Sequence, residues 1–199
     1  MQFDLFNIKI KISFTFFALI LLLIIFNKTE YLYISIISAM LHELGHLFAL
    51  KFFGAKILEF KISLFGGNIK TEDFINTNYL QDILIFISGP FINLFFAVFC
   101  YFLLFSFKTQ KLVDFTLVNL TLAFFNLLPF YSFDGGKILS AILKFKFTEK
   151  QSEQIVTISS FLILIPFIYF SVTLFLHNKN NFYYLIVALL MLLTIIFKK

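Results

Sequence analysis

Six long apolar runs, at about residues 12–26, 31–50, 83–107, 115–133, 154–176 and 182–197, occupy most of this 199-residue chain. A helix needs about 20 apolar residues to cross the hydrocarbon core of a bilayer, and most of the runs come near that length. Each is expected to be a transmembrane helix. The first and last are short, and flanking lysine stems can extend them along the lipid. A soluble domain is excluded, because a chain of this size leaves much of its surface in water and could not bury such runs. With 60% hydrophobic and only 14% charged residues, the composition points the same way. The expected fold is all-α: a membrane protein of about six transmembrane helices, forming one domain over residues 1–199 with no internal repeat or linker.

The charge pattern sets the expected partners and orientation. The net charge of +5 comes from 16 Lys and no Arg, scattered between apolar runs rather than massed on one patch. Nucleic acid is excluded as a partner, since phosphate-binding proteins concentrate their charge and favour Arg for bidentate contacts. The lipid bilayer is the expected surrounding. Segments on the side of the N-terminus would carry twelve lysines and the opposite loops four, Lys28, Lys108, Lys111 and Lys179. The positive-inside rule turns that bias into a multi-pass topology with both termini cytoplasmic. Lys9 and Lys11 ahead of the first run resemble the start of a signal peptide, but Phe26-Asn27-Lys28-Thr29 offers no small-residue cleavage site, so an uncleaved span is expected. The lone Cys100 lies in an apolar run and is read as packing.

Between the second and third runs, Lys56 to Lys70 reads KILEFKISLFGGNIK, with Leu58, Phe60, Ile62 and Leu64 at period two. That pattern fits a strand, with Gly66-Gly67 as the tight turn of a small hairpin at the cytoplasmic interface, and fits a plain interfacial loop equally well.

Ionisable groups inside a bilayer helix cost about 2.5 to 3.5 kcal/mol at mid-span for Asp, Lys or Arg, so each one marks a candidate site. Across the six runs as drawn they are His42, Glu43 and His46, with Asp134 immediately after the fourth. His42-Glu43-Leu44-Gly45-His46 is an H-E-x-x-H motif. Positions i and i+4 share one helical face, so both imidazoles can meet one Zn²⁺ while Glu43 stands beside them as general base. In a soluble protein a histidine on an apolar face is more often a satisfied core residue than a ligand. In lipid, two histidines and a carboxylate within one turn must be satisfied by something, and a divalent cation serves all three.

A catalytic zinc takes three protein ligands. His177 would lie on the outer face, Asp82 competes on depth alone, and Glu72 and Asp73 fall in a polar stretch. Asp134 follows a helix running to the same leaflet as His46. The break at Asn126-Leu127-Leu128-Pro129 and the small pair Gly135-Gly136 suit irregular backbone lining a cavity, which favours Asp134.

Three motifs then occur in order: HELGH at 42–46, S-G-P-x-x-N at Ser88, Gly89, Pro90 and Asn93, and N-x-x-P-x-x-x-x-D-G-G from Asn126 through Pro129 to Asp134, Gly135 and Gly136. With Phe65-Gly66-Gly67 after the second run, the sequence resembles the site-2 protease family of intramembrane metalloproteases, over roughly residues 8–175, and within it members that act in sporulation. The resemblance implies that His42, His46 and Asp134 bind one Zn²⁺, that Glu43 is the catalytic base, and that Asn126 holds the substrate backbone. It implies a membrane-associated hairpin at Gly66 and Gly67 that can receive an unwound substrate. It also implies a membrane-tethered substrate such as a precursor of a sigma factor, inhibitory membrane partners, and a bacterial cell membrane as the location. Family members often carry a PDZ insertion or a nucleotide-binding CBS domain, and neither is expected here.

The expected reaction is peptide hydrolysis. An intramembrane zinc transporter or sensor is the rival, since membrane His and Asp also mark ion paths. A non-catalytic scaffold is another, and a metalloprotease of a different lineage with a Glu as third ligand is a further one.

Overall fold

In the computed structural model of the chain, residues 2–5, 8–12, 30–63, 66–71 and 78–197 are described. The chain forms two compact units, Met1–Asn126 and Leu127–Lys199.

The first unit contains strands β1 (Gln2–Leu5) and β2 (Ile8–Ile12), helix α1 (Glu30–Phe52), strands β3 (Ile57–Ser63) and β4 (Gly66–Thr71), and helices α2 (Tyr79–Leu103) and α3 (Gln110–Leu127). The strands make one four-stranded sheet in the order β1-β2-β3-β4. β1 and β2 are antiparallel, β2 and β3 parallel with Lys9 opposite Glu59, and β3 and β4 antiparallel with Ser63 opposite Gly66. Lys11 Nζ lies 2.7 Å from Glu59 Oε2 across the parallel pair. A parallel pair requires a crossover connection, and here that connection contains α1.

The sheet departs from expectation in two ways. Gly66 and Gly67 are the first residues of β4, opposite Ser63 and Ile62, rather than a turn; that register leaves only residues 64 and 65 to join the strands. In addition, β1 and β2 double the strand count, where an all-helical chain with one small hairpin was expected.

α1 ends in a Schellman turn: Ala55 N–H donates to Leu50 O and Gly54 N–H to Lys51 O, both at 3.0 Å. Gly54 takes a φ of +81°, which only glycine adopts freely. The first expected span, 12–26, lies outside the described residues apart from Ile12, which ends β2.

The fourth expected helix, 115–133, is shifted toward the N-terminus. α3 starts at Gln110 and stops at Leu127, because Pro129 lacks an N–H and biases Leu128 away from helical backbone. Asp114 therefore falls inside a helix, where it is buried and accepts a 2.8 Å bond from Gln110 Nε2.

The second unit contains α4 (Asp134–Leu143), α5 (Glu149–His177), a short 3-10 turn at Lys179–Asn181 and α6 (Phe182–Ile196). Thr148 caps α5: its backbone N–H donates to Gln151 Oε1 at 3.1 Å, and its hydroxyl accepts from Gln151 N–H at 3.4 Å. Phe130, fully buried, packs with Leu164, Met191 and Ile195 as the unit's core.

Among the described residues, α1, α2 and α5 are long and apolar enough to cross a membrane, and α6 is a shorter apolar helix. Large apolar side chains cover their outsides, including Phe48, Leu162, Tyr169 and Leu176 at 68–76% exposure. Such a surface would be insoluble in water and suits hydrocarbon.

Candidate metal centre

The buried face of α1 carries Ser38, His42, Gly45 and His46 at helical spacing, while Met40, Leu44 and Phe48 point outward. Gly45 allows close approach of α2, since a Cβ there would come within 2.6 Å of Ser88 O. On the facing helix, a Cβ on Gly89 would overlap the His46 ring and lie 2.9 Å from His42 Cε1. The two glycines thus let the helices meet with both imidazoles between them.

His42 Nδ1 lies 2.7 Å from Asn93 Oδ1, and His46 Nδ1 lies 2.8 Å from the Ile85 carbonyl oxygen. The Ile85 carbonyl can only accept, so Nδ1 of His46 carries a proton and, in the neutral ring, the lone pair is on Nε2. That Nε2 sits 3.2 Å from Nε2 of His42, with both rings buried. Two tetrahedral zinc ligands, with Zn–N near 2.0–2.1 Å, hold their nitrogens about 3.3 Å apart. The donor pair therefore fits the metal that the motif implies. Glu43, half-buried, is the next residue along the same turn.

Asn93 is itself held. Its Nδ2 donates to Ser38 O at 3.0 Å and to Asn119 Oδ1 at 2.8 Å. Asn119 Nδ2 donates in turn to Ser38 Oγ at 2.8 Å and to Phe115 O at 2.9 Å. Ser38, Asn93 and Asn119 are fully buried, so α1, α2 and α3 are joined by polar bonds in an otherwise apolar setting. Asn93 appeared in the sequence only as a motif letter; Ser38 and Asn119 were passed over. Their signal was present, as a serine four residues before His42 and an amide within an apolar run.

In the second unit, Asp134 is buried at the first turn of α4, with Lys137 Nζ 3.2 Å from its Oδ1. A carboxylate is stabilised at a helix N-terminus, where backbone N–H groups converge. The irregular stretch before it is satisfied by α5: Tyr131 N–H donates to Ser160 Oγ at 2.8 Å, and Ser159 Oγ donates to Pro129 O at 2.7 Å. Gly135 and Gly136 are required by space, because a Cβ on either would run into the carbonyls of Leu127 and Phe130 respectively.

Thus the structure brings His42 and His46 together with Glu43 adjacent. Asn126, near the end of α3, donates from Nδ2 to Leu122 O at 3.0 Å. Gly66 and Gly67 lie in β4, at the edge of the sheet.

The sequence profile of Peptidase family M50 matches residues 30–116 and 108–167. Among curated proteins, the chain is 30% identical over 158 residues to Zinc metalloprotease MJ0392 of Methanocaldococcus jannaschii, a match covering 74% of this chain and 46% of that protein. It is also 30% identical over 106 residues to Stage IV sporulation protein FB of Bacillus subtilis, covering 52% of this chain and 37% of that protein. The matches thus span less than half the length of either relative. Among solved structures, the Site-2 Protease from Methanocaldococcus jannaschii superposes with a TM-score of 0.72 at 26% identity, over 96% of this chain and 91% of that one.

Proposed function

Since this chain belongs to peptidase family M50, we propose that it is an intramembrane zinc endopeptidase that cuts a membrane-associated protein near the cytoplasmic face. The observation that carries this reading is the pair of Nε2 atoms of His42 and His46, 3.2 Å apart, with a carboxylate on the same turn. His42, His46 and Asp134 would hold the ion, leaving one position open, as catalytic zinc requires. Support for Asp134 is its burial, its place at the start of α4 directly beyond the Pro129 break, and its spacing from Asn126 in the family motif.

Zinc held there would bring the pKa of water toward ~7 and polarise the scissile carbonyl. Glu43 takes the proton from the attacking water and delivers it to the leaving amine. Asn126 orients the substrate backbone. A transmembrane substrate must unwind to expose its carbonyl, and the edge strand β4, opening with Gly66-Gly67, can receive it as an added strand.

The pairing of β2 with β3 supports the six-span topology. Strands of one sheet belong on one side of a bilayer, so the chain between residues 12 and 57 would cross it an even number of times. α1 supplies one crossing, and the apolar run at 12–26 is the sequence available for another. The lysine distribution supports a multi-pass protein of a bacterial cell membrane with both termini facing the cytoplasm. Both units together would then make up one metalloprotease domain. The similarity to a sporulation protein favours a membrane-tethered pro-sigma factor as substrate, with membrane-bound inhibitors as regulators.

The test is co-expression with a tethered pro-sigma factor and with other membrane-anchored substrates, comparing the wild type with Glu43→Gln and reading product by gel shift. Wild-type cutting should fall by about 10²- to 10⁴-fold in the variant while bound zinc, read by elemental analysis, is retained. Zinc-loaded wild type that leaves every substrate intact but carries zinc across vesicle membranes would replace this reading with a transporter.

A further inference from the structure

Every bond in the Ser38–Asn93–Asn119 cluster has a direction that its chemistry dictates. A main-chain carbonyl only accepts. The Phe115 carbonyl, 2.9 Å from the Asn119 amide, must face its NH₂ end, which turns Asn119 Oδ1 toward Asn93 as an acceptor at 2.8 Å. The Ser38 carbonyl, 3.0 Å from Asn93, also requires an N–H. Both N–H groups of Asn93 are thereby committed, and its Oδ1 is left facing His42 Nδ1 at 2.7 Å. An oxygen acceptor there requires a proton on Nδ1, so in the neutral ring the lone pair stays on Nε2.

The opposite amide orientation would set the Asn93 oxygen against the Ser38 carbonyl and its NH₂ against Nδ1 of His42. The imidazole proton would then move to Nε2 and point at His46 Nε2, 3.2 Å away, where a cation is meant to bind.

We infer that Asn119 and Ser38 are positioning residues that act through Asn93 to lock His42 in the Nδ1–H tautomer, presenting Nε2 to a divalent cation. The backbone carbonyls of Phe115 and Ser38 are the fixed references from which the lock is read, one on α3 and one on α1. Partners of this kind commonly change metal affinity by about 10- to 100-fold when removed. The inference rests on the metal-centre reading above, but one of its readouts needs neither metal nor peptide cleavage.

The chain contains three histidines, so ¹⁵N-histidine labelling of metal-free protein in detergent yields three ring spectra, assignable with single His→Gln variants. In the wild type, His42 should show a protonated Nδ1 and a bare Nε2. Asn119→Leu should turn this into a tautomer mixture and weaken zinc binding, read by chelator competition, by about tenfold or more. Ser38→Ala keeps the carbonyl and loses only the hydroxyl, so its effect should go the same way but be smaller.

A wild-type His42 whose neutral ring carries its proton on Nε2 would overturn the inference. So would a folded Asn119→Leu protein with unchanged His42 shifts and unchanged zinc affinity, which would reduce the cluster to a weld between helices. If Asn119→Leu does not fold, the wild-type spectrum and Ser38→Ala still decide. A confirmed lock in a protein that cuts nothing would sink the peptidase reading alone.

Discussion

The His46 imidazole fills the space that a side chain on Gly89 would need, with its Cε1 2.6 Å from where that Cβ would stand. The ring cannot retreat freely, because its Nδ1 is tied to the Ile85 carbonyl at 2.8 Å. Gly89→Ala should therefore displace the imidazole from its partner. Zinc affinity is expected to drop by about 10- to 100-fold, as for lost support of a metal ligand. Circular dichroism should report helical content unchanged, and elemental analysis at low free zinc should show depleted metal.

Asp134 and Asp82 competed as third ligand in the sequence, and substitution separates them. Asp134 is buried at the start of α4, whereas Asp82 is half-buried in the first turn of α2. Asp134→Asn should lose bound zinc and all proteolysis. Asp82→Asn should keep its zinc content near the wild-type level. The reverse pattern would reassign the ligand.

Ser160 holds the bend that precedes Asp134 by accepting from Tyr131 N–H at 2.8 Å. Ser160→Ala removes that hydrogen bond, a loss of about 0.5–1.5 kcal/mol. Lower stability in detergent unfolding is expected, together with faster hydrogen exchange at the Tyr131 amide. Ser159→Ala should have a similar but milder effect, since it leaves a carbonyl rather than an N–H without its partner.

If substrate adds to the edge of β4, it must first leave its helical state. Gly or Pro near the scissile bond should then raise the cutting rate relative to a matched Leu-rich helix, in a co-expression assay scored by gel shift. Equal cutting of both would remove the need for strand addition.

The membrane class and the two histidines were legible because lipid penalises polar groups strongly enough that a few residues decide the reading. Asp134 stood out for the same reason, helped by Pro129 and the two glycines after it. Asn93 and Asn119 did not, because attention to ionisable groups passes over neutral amides, although both are fully buried and bonded. Asp114 escaped because the helix start was placed at 115, past the polar residues that open α3. The alternation Ile8-Lys9-Ile10-Lys11-Ile12 did carry a strand pattern, but its partner strand lies far along the chain, with Lys9 opposite Glu59, and sequence periodicity says nothing about a register set over that distance. The same holds for Gly66-Gly67, whose turn-like composition was outweighed by the pairing of Ser63 with Gly66.

The side-by-side alignment of β2 with β3 also dictates an order of assembly. Strand β2 leaves the ribosome with no neighbour on that flank until β3 is made, and at about 5–20 residues per second the wait lasts a few seconds. The HELGH-bearing helix is synthesised wholly within that interval. Closing the sheet is thus a late event that can follow only after this helix has been made, and it fastens the loop containing the helix at its base.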